Sequence, residues 1–269
     1  MEKVRSTDLS TTKNILHQDS PSFSGIIAGI CKGEIWVDRL VDPRLALVYS
    51  YAVGSFSIMG SPEDASVYND FYKFLRDELF MELKSKGIKD FEFSVESENA
   101  KDHVLEIFSH ENILQEEEYS YRKNDGCKLQ AVDGYTIAPV DWKLIKQFRE
   151  GSLENPEFLN ERLLESWETY EIFVDRSIGY VALDEKSIVG VIIGTARYHN
   201  VIPIDIEIDK GHRKKGLALT LTNHFVKGCV ESGLVPQWDC VESNIGSRKT
   251  AEKAGFKLFK REPVYWFGI

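Results

Sequence analysis

"DKGHRKKGLALT", residues 209–220, sets His212, Arg213, Lys214 and Lys215 side by side and then enters an apolar helical pattern, in a chain whose formal net charge is −10. Just before it, "VIPIDIEID" (201–209) alternates with the period of a strand: Ile204, Ile206 and Ile208 fall on one face, Asp205 and Glu207 on the other. Just after it, Leu217, Leu221, Phe225, Val226 and Cys229 recur at helical spacing up to a stop at Gly233. A strand that turns through glycine into a helix leaves backbone N–H groups unpaired, backed by the positive end of the helix dipole. Such a turn is an anion cradle. Gly216 keeps a Cβ out of the way of a ligand, and Ala218 is the smallest side chain that still favours helix. Lysine and arginine are unfavourable beside a positive dipole end, so Arg213, Lys214 and Lys215 point to a bound anion, a phosphate or pyrophosphate.

The spelling excludes two familiar phosphate loops. A Walker loop needs GxxxxGK[ST], and the frame from Gly211 reads "GHRKKGLA", with Leu217 where lysine is required. A dinucleotide fingerprint needs GxGxxG after the first strand of a βαβ unit, and that pattern is absent.

Outward from the loop, both halves of the chain read as mixed α and β. Residues 1–25 form a loosely held lead-in, with a short helix near 11–17. "GEIWVDR" (33–39) and "RLALVYSYAVGSFSIMG" (44–60) are strands with a bend at Gly54, and the helix of 61–87 is expected to be capped by Ser61 with Pro62 at its first position. Strand, helix and strand follow to about 122, and "RKNDGCKLQAVDG" (122–134) is a hinge. The second half reads β-α-α-β-β-β-α-β-α-β, with helices at about 141–150 and 156–168. The expected division is a lead-in over 1–25, an N-terminal mixed α/β domain over 26–125 and a C-terminal domain over 126–269.

Of 269 residues, 42% are hydrophobic and 28% charged, the composition of an ordinary globular chain. No apolar run is long enough to span a bilayer and the start has no apolar h-region, which places the protein in the cytoplasm and away from membranes. Cys31, Cys127, Cys229 and Cys240 are scattered without metal spacing, so free buried thiols are expected, and no metal site. Forty-three acidic against thirty-three basic residues argue against nucleic acid as a partner and suit a cationic small molecule.

Arg213-Lys214-Lys215-Gly216-Leu217-Ala218 resembles the pyrophosphate loop, Arg/Gln-x-x-Gly-x-Gly/Ala, of the GNAT superfamily of N-acetyltransferases. The next strand leads into "NIGSRKTAEKAGFKLF" (244–259), which is similar to that family's "N-x-x-[AS]…EK-x-GF" segment in Asn244, Ser247, Glu252, Lys253, Gly255 and Phe256. "GLVPQWDCVESNIGS" (233–247) further resembles a subfamily that includes zwittermicin-type antibiotic-resistance acetyltransferases. The resemblance covers roughly 175–260, and element order extends it back to about 134; the N-terminal half is compatible in topology with a degenerate second unit of the same kind.

The resemblance implies a mixed α+β fold whose mostly antiparallel sheet splays at a slot for acetyl-CoA. Backbone N–H groups from His212 to Ala218 then hold phosphates, backbone groups of Ile206 and Ile208 meet the pantetheine amides, Ser247 contacts the cofactor, and Asn244 either contacts the cofactor or the loop or merely caps the next helix. The implied reaction is transfer of an acetyl group to a primary amine of a small molecule by direct attack. A carboxylate must take the amine's proton. Glu207 and Asp205 are the candidates, with Glu242 at the end of the next strand third. The family often places a proton-donating Tyr before the Glu-Lys pair, where this chain has Ala251, so water, Ser247, a residue of the N-terminal half or the distant Tyr265 is left to serve. That departure keeps open an acyl-CoA-binding sensor without turnover. The N-terminal domain is expected to help form the acceptor site, and the protein to be a monomer or homodimer.

Overall fold

The computed structural model describes residues 1–4, 15–17 and 19–269, and the chain divides into two compact units, Met1–Glu118 with Glu262–Ile269, and Tyr119–Arg261. The helix read near 11–17 lies mostly outside the described residues.

In chain order the first unit holds β1 (Glu2–Lys3), α1 (Pro21–Ile27), β2 (Gly33–Val37), β3 (Leu45–Ser50), β4 (Ser55–Gly60) and α2 (Ala65–Phe74). A π-helical turn over Leu75–Leu79 joins α2 to α3 (Phe80–Ser85), β5 (Asp90–Val95) and α4 (Glu98–Ile107) follow, and β6 (Leu114–Arg122) starts in the first unit and belongs to the second from Tyr119 on. Three expectations change here. Pro21–Gly25, placed in the loose lead-in, belong to a buried helix, Pro21–Ile27, because Phe23, Ile26 and Ile27 pack against Ile35, Val37 and Val48 of the sheet. The long helix begins at Asp64 and not Ser61, since the Asp64 carboxylate accepts from Ser66 N at 2.9 Å and satisfies the first turn. At the far end of the chain Tyr265, Trp266, Phe267 and Gly268 pair antiparallel with Phe93, Glu92, Phe91 and Asp90, so the final residues belong to the first unit's sheet. That sheet packs on α2 and α4 through Phe56, Phe71, Phe91, Phe93, Phe108 and Phe267.

The second unit holds β7 (Thr136–Pro139), α5 (Trp142–Arg149), α6 (Glu157–Trp167), α7 (Tyr170–Arg176), β8 (Gly179–Asp184), β9 (Ser187–Gly194), β10 (Val201–Ile208), α8 (Leu217–Glu231), β11 (Val235–Val241), α9 (Ile245–Lys253) and the start of β12 (Lys257–Gly268). The spacing missed α7, whose "YEIFVDR" is rich in strand-favouring residues; Thr169 Oγ1 accepts from Ile172 N at 3.2 Å and turns it into a helix. Strands β7 to β10 pair antiparallel in order, and β11 joins β10 in parallel. Helix α8 covers one face through Leu217, Leu221, Phe225 and Cys229 against Ile192, Ile202 and Ile208. Burial there pushes the Cys229 thiol up to about 12. Helix α6 covers the other face, with Trp167 Nε1 donating to Gly194 O at 2.7 Å. Among the described residues no helix is long and apolar enough to cross a membrane.

The two units share the order strand, helix, strand, helix in β4–α2–β5–α4 and β10–α8–β11–α9, with the two strands parallel in each. They differ in how far those strands stay together. In the first unit Phe56, Ser57 and Ile58 pair with Phe93, Ser94 and Val95, Glu96 N continues the ladder to Ile58 O at 3.1 Å, and the Glu96 carboxylate accepts from Ser57 and Ser94 at 2.9 Å and from Ser20. That seam is closed. In the second unit β10 and β11 pair over Val201–Pro203 with Val235, Pro236 and Gln237, and the cleft described next opens beyond.

Candidate functional site

Backbone parity decides which groups face the opening. Thr195 N donates to Pro203 O and Asp209 N to Val189 O, both at 2.9 Å, so the odd-numbered residues of β10 spend their backbone groups on β9. Alternation turns the N–H and C=O groups of Ile204, Ile206 and Ile208 toward β11, from which β10 has separated. A cleft of about 760 Å³ lies there, walled by Ile206, Glu207 and Ile208 on one side, by His212 to Lys214 and Gly216 to Leu219 at one end, and by Trp238 and helix α9 on the other side.

The loop at its end is a built cradle. Asp209 Oδ1 accepts from Gly211 N at 2.9 Å and tightens the turn after β10. Lys214 (φ 64°) and Gly216 (φ 89°) both take the left-handed conformation, and α8 starts with Gly216 as a cap that offers no side chain to the first-turn N–H groups. Those donors and the dipole of a 15-residue helix are therefore available to an anion. The site fits a pyrophosphate. Arg213 does not reach outward with its charge: its Nε donates to Ile208 O at 2.9 Å and its guanidinium lies 3.7 Å from Glu207. Lys215 Nζ donates to Tyr135 Oη at 2.8 Å, and the same phenol is 3.0 Å from His212 Nδ1, which lies 3.8 Å from Asp184.

Across the cleft, Asn244 Oδ1 accepts from Ser247 N at 3.1 Å, the N-cap of α9, while Ser247 Oγ accepts from Trp238 Nε1 at 2.8 Å and holds the indole in the wall. Asp205 and Glu207 share the face toward α6, where Arg162 pairs with both: Nε lies 3.0 Å from Asp205 and an Nη grips Glu207. Burial raises the Asp205 carboxyl, and the Arg162 charge pulls it back in part. Glu242 is elsewhere, accepting from Tyr119 Oη at 3.2 Å beside the core under α9. Ala251 is fully buried in that core among Tyr119, Tyr121, Trp238 and Phe256. Tyr265 is a core residue of the first unit, stacked on Phe93 with ring centroids 5.5 Å apart.

Four residues of the site escaped the sequence reading. Arg162 and Tyr135 arrive from segments far from the loop. Asp239 lies two residues past the last β10–β11 register pair, as Asp205 does on β10. Gln237 Nε2 donates to both Asp239 oxygens at 3.1 and 3.0 Å, and burial raises that carboxyl above its ordinary range. Lys249 lines the cleft from α9.

The model of the GNAT acetyltransferase family matches residues 13–265. An uncharacterised N-acetyltransferase, YdfB of Bacillus subtilis, is 26% identical over 239 residues, covering 88% of this chain and 86% of that one. The crystal structure of a GCN5-related N-acetyltransferase-like protein from Streptococcus suis has a TM-score of 0.59 at 22% identity over 88% of both chains. A tandem GNAT protein from the clavulanic acid biosynthesis pathway reaches 0.61 at 10% identity, over 98% of this chain and 93% of that one. With its strand-to-helix phosphate cradle, its parted parallel strands and a family match over nearly its whole length, the chain belongs to the GNAT acetyltransferases and is an acyltransferase.

Proposed function

We propose that the protein moves an acetyl group from acetyl-CoA to a primary amine of a small molecule, by direct attack of the amine. The observation that carries this reading is the opening of β10 from β11 past Pro203 and Gln237, with an anion cradle at one end, Glu207 on a wall, and the Asp205 carboxylate beside it on the shared Arg162. Acetyl-CoA supplies, when bound, a thioester carbonyl open to an amine. First-turn N–H groups of α8 hold its phosphates, and the backbone of Ile206 and Ile208 offers strand-like partners to its amides.

The chain's own part is largely proton management. An amine arriving as ammonium must lose a proton before its nitrogen can bond to carbon. Asp205 is the proposed acceptor, since burial raises its carboxyl toward working pH, while Glu207, gripped by Arg162 and near Arg213, orients the pair. As the C–S bond breaks, the departing thiolate takes a proton, for which the Ser247 hydroxyl is the proposed relay: it accepts from Trp238, passes its own hydrogen to the sulfur and regains one from solvent water in the same step. Glu242, engaged by Tyr119, has no assigned role.

The resemblance of 233–247 to zwittermicin-type resistance enzymes makes an antibiotic amine the first acceptor class to try, in the cytoplasm as the proposed compartment and with a monomer or homodimer as the working unit. Neither nucleic acid nor membrane is a proposed partner. The test is thiol release from acetyl-CoA over a panel of primary amines, with Asp205→Asn beside the wild type. Turnover that falls in the variant while CoA affinity holds supports the reading. CoA binding without turnover of any amine overturns it in favour of a sensor.

A further inference from the structure

Helix α9 turns Gly246, Lys249, Thr250 and Lys253 to the cleft, the i, i+3, i+4, i+7 stripe of a single helix face. Thr250 Oγ1 is used on Gly246 O at 2.8 Å, so the lysines are what this face presents. Like charges four residues apart weaken a helix. Among the described residues neither lysine forms an ion pair, and the acidic residue lining the cleft, Glu207, is already held by Arg162. Opposite them stand Lys214 and the α8 cradle. A chain of net charge −10 thus gathers unneutralised lysines on a wall separate from the cradle. One diphosphate seated on the α8 N-terminus leaves them without a counter-charge, so the cleft is built for a ligand with a second anionic group.

We infer that Lys249 and Lys253 form a subsite for the ribose 3′-phosphate of the acyl donor, so that the enzyme selects free acyl-CoA over donors lacking that phosphate. The inference rests on the acetyl-CoA reading of the cleft. A phosphate monoester carries up to two negative charges and three acceptor oxygens, enough to engage both ammonium groups. Donors that end in a dephosphorylated nucleotide, or whose pantetheine arm is attached to a carrier protein, lack this group.

Calorimetric titration with CoA and with 3′-dephospho-CoA tests it, on wild type and on Lys249→Ala/Lys253→Ala. Alanine is the best helix former, so α9 stands, and thermal melting checks the fold. Wild type is expected to bind CoA about tenfold more tightly than 3′-dephospho-CoA, the worth of a charge-assisted hydrogen bond. The double variant should lose that preference and bind 3′-dephospho-CoA as wild type does. Equal affinities in wild type, or an equal loss for both ligands in the variant, overturn the subsite. Failure of wild type to bind either ligand overturns the acetyl-CoA reading itself.

Discussion

Lys215 Nζ and Tyr135 Oη stand 2.8 Å apart, which ties the loop between β10 and α8 to the segment that precedes β7. The same phenol meets His212 Nδ1 at 3.0 Å, so one hydroxyl bridges the two residues that bracket Arg213 and Lys214. Holding Lys214 in a left-handed conformation costs free energy, and a clamp on both sides of it offsets that cost before any ligand arrives. Tyr135→Phe keeps the ring and its packing and removes the bridge. We expect CoA affinity to fall about fivefold, equivalent to about 1 kcal/mol of lost preorganisation, with the melting temperature little changed. Calorimetry beside a thermal melt checks both, and unchanged affinity sinks the role of the clamp.

Gly216 carries a second requirement of the loop. Its φ is 89°, while an added Cβ would meet little, the nearest atom being Val132 Cγ2 at 3.8 Å. The cost of Gly216→Ala is therefore conformational, about 1–2 kcal/mol of loop or fold stability, measurable by denaturant titration. Gly216→Glu adds a carboxylate where the phosphates are proposed to sit, and CoA binding should be abolished in calorimetry. Wild-type affinity in that variant would falsify the seat.

How much of this was legible depends on distance along the chain. The strand, turn and helix around "RKKGLA" follow from alternation, glycine and helical spacing within some thirty residues, and so do the opposite faces of Asp205 and Ile206. The partners of those residues do not. Arg162 reaches Asp205 and Glu207 from α6, and Tyr135 reaches Lys215 across 80 positions, so only the packed sheet brings them together. Asp239 read as one more residue of a strand, because its place level with Asp205 depends on the register of β10 with β11. The Ser61 cap failed for a local reason: Asp64, three residues on, competes for the same helix start and wins by bonding Ser66 N.

The pair formed by Asp205 and Arg162 sets an expected pH dependence. Burial raises the Asp205 carboxyl and Arg162 lowers it, so Arg162→Gln removes the lowering influence and Asp205 keeps its proton to higher pH. If Asp205 must be ionised to accept the amine's proton, the acid limb of the kcat/KM profile moves to higher pH in the variant. Stability follows the same sign. A carboxyl raised by burial favours the fold below its unfolded value and loses that contribution as pH rises through the folded one. Arg162→Gln should therefore destabilise the protein more at neutral pH than near pH 4. An unmoved acid limb would remove Asp205 from the proton path.

Ala251 shows why a motif position does not by itself define a role. Related enzymes often carry a proton-donating tyrosine there, but here the side chain points into a closed core of Tyr119, Tyr121, Trp238 and Phe256. Tyr121 Oη already lies 3.3 Å from Glu252, so this volume is filled by a phenol from β6 instead of one from α9. Ala251→Tyr should therefore overpack the core and cost about 1–3 kcal/mol in denaturant unfolding, with no gain in kcat. Ser247→Ala is the complementary change. It removes the proposed proton donor and leaves Trp238 Nε1 without its acceptor, so kcat should fall more than the KM for acetyl-CoA rises. A stable and faster Ala251→Tyr enzyme would show instead that the space under α9 opens to the cleft and that the leaving thiolate is reached from that side.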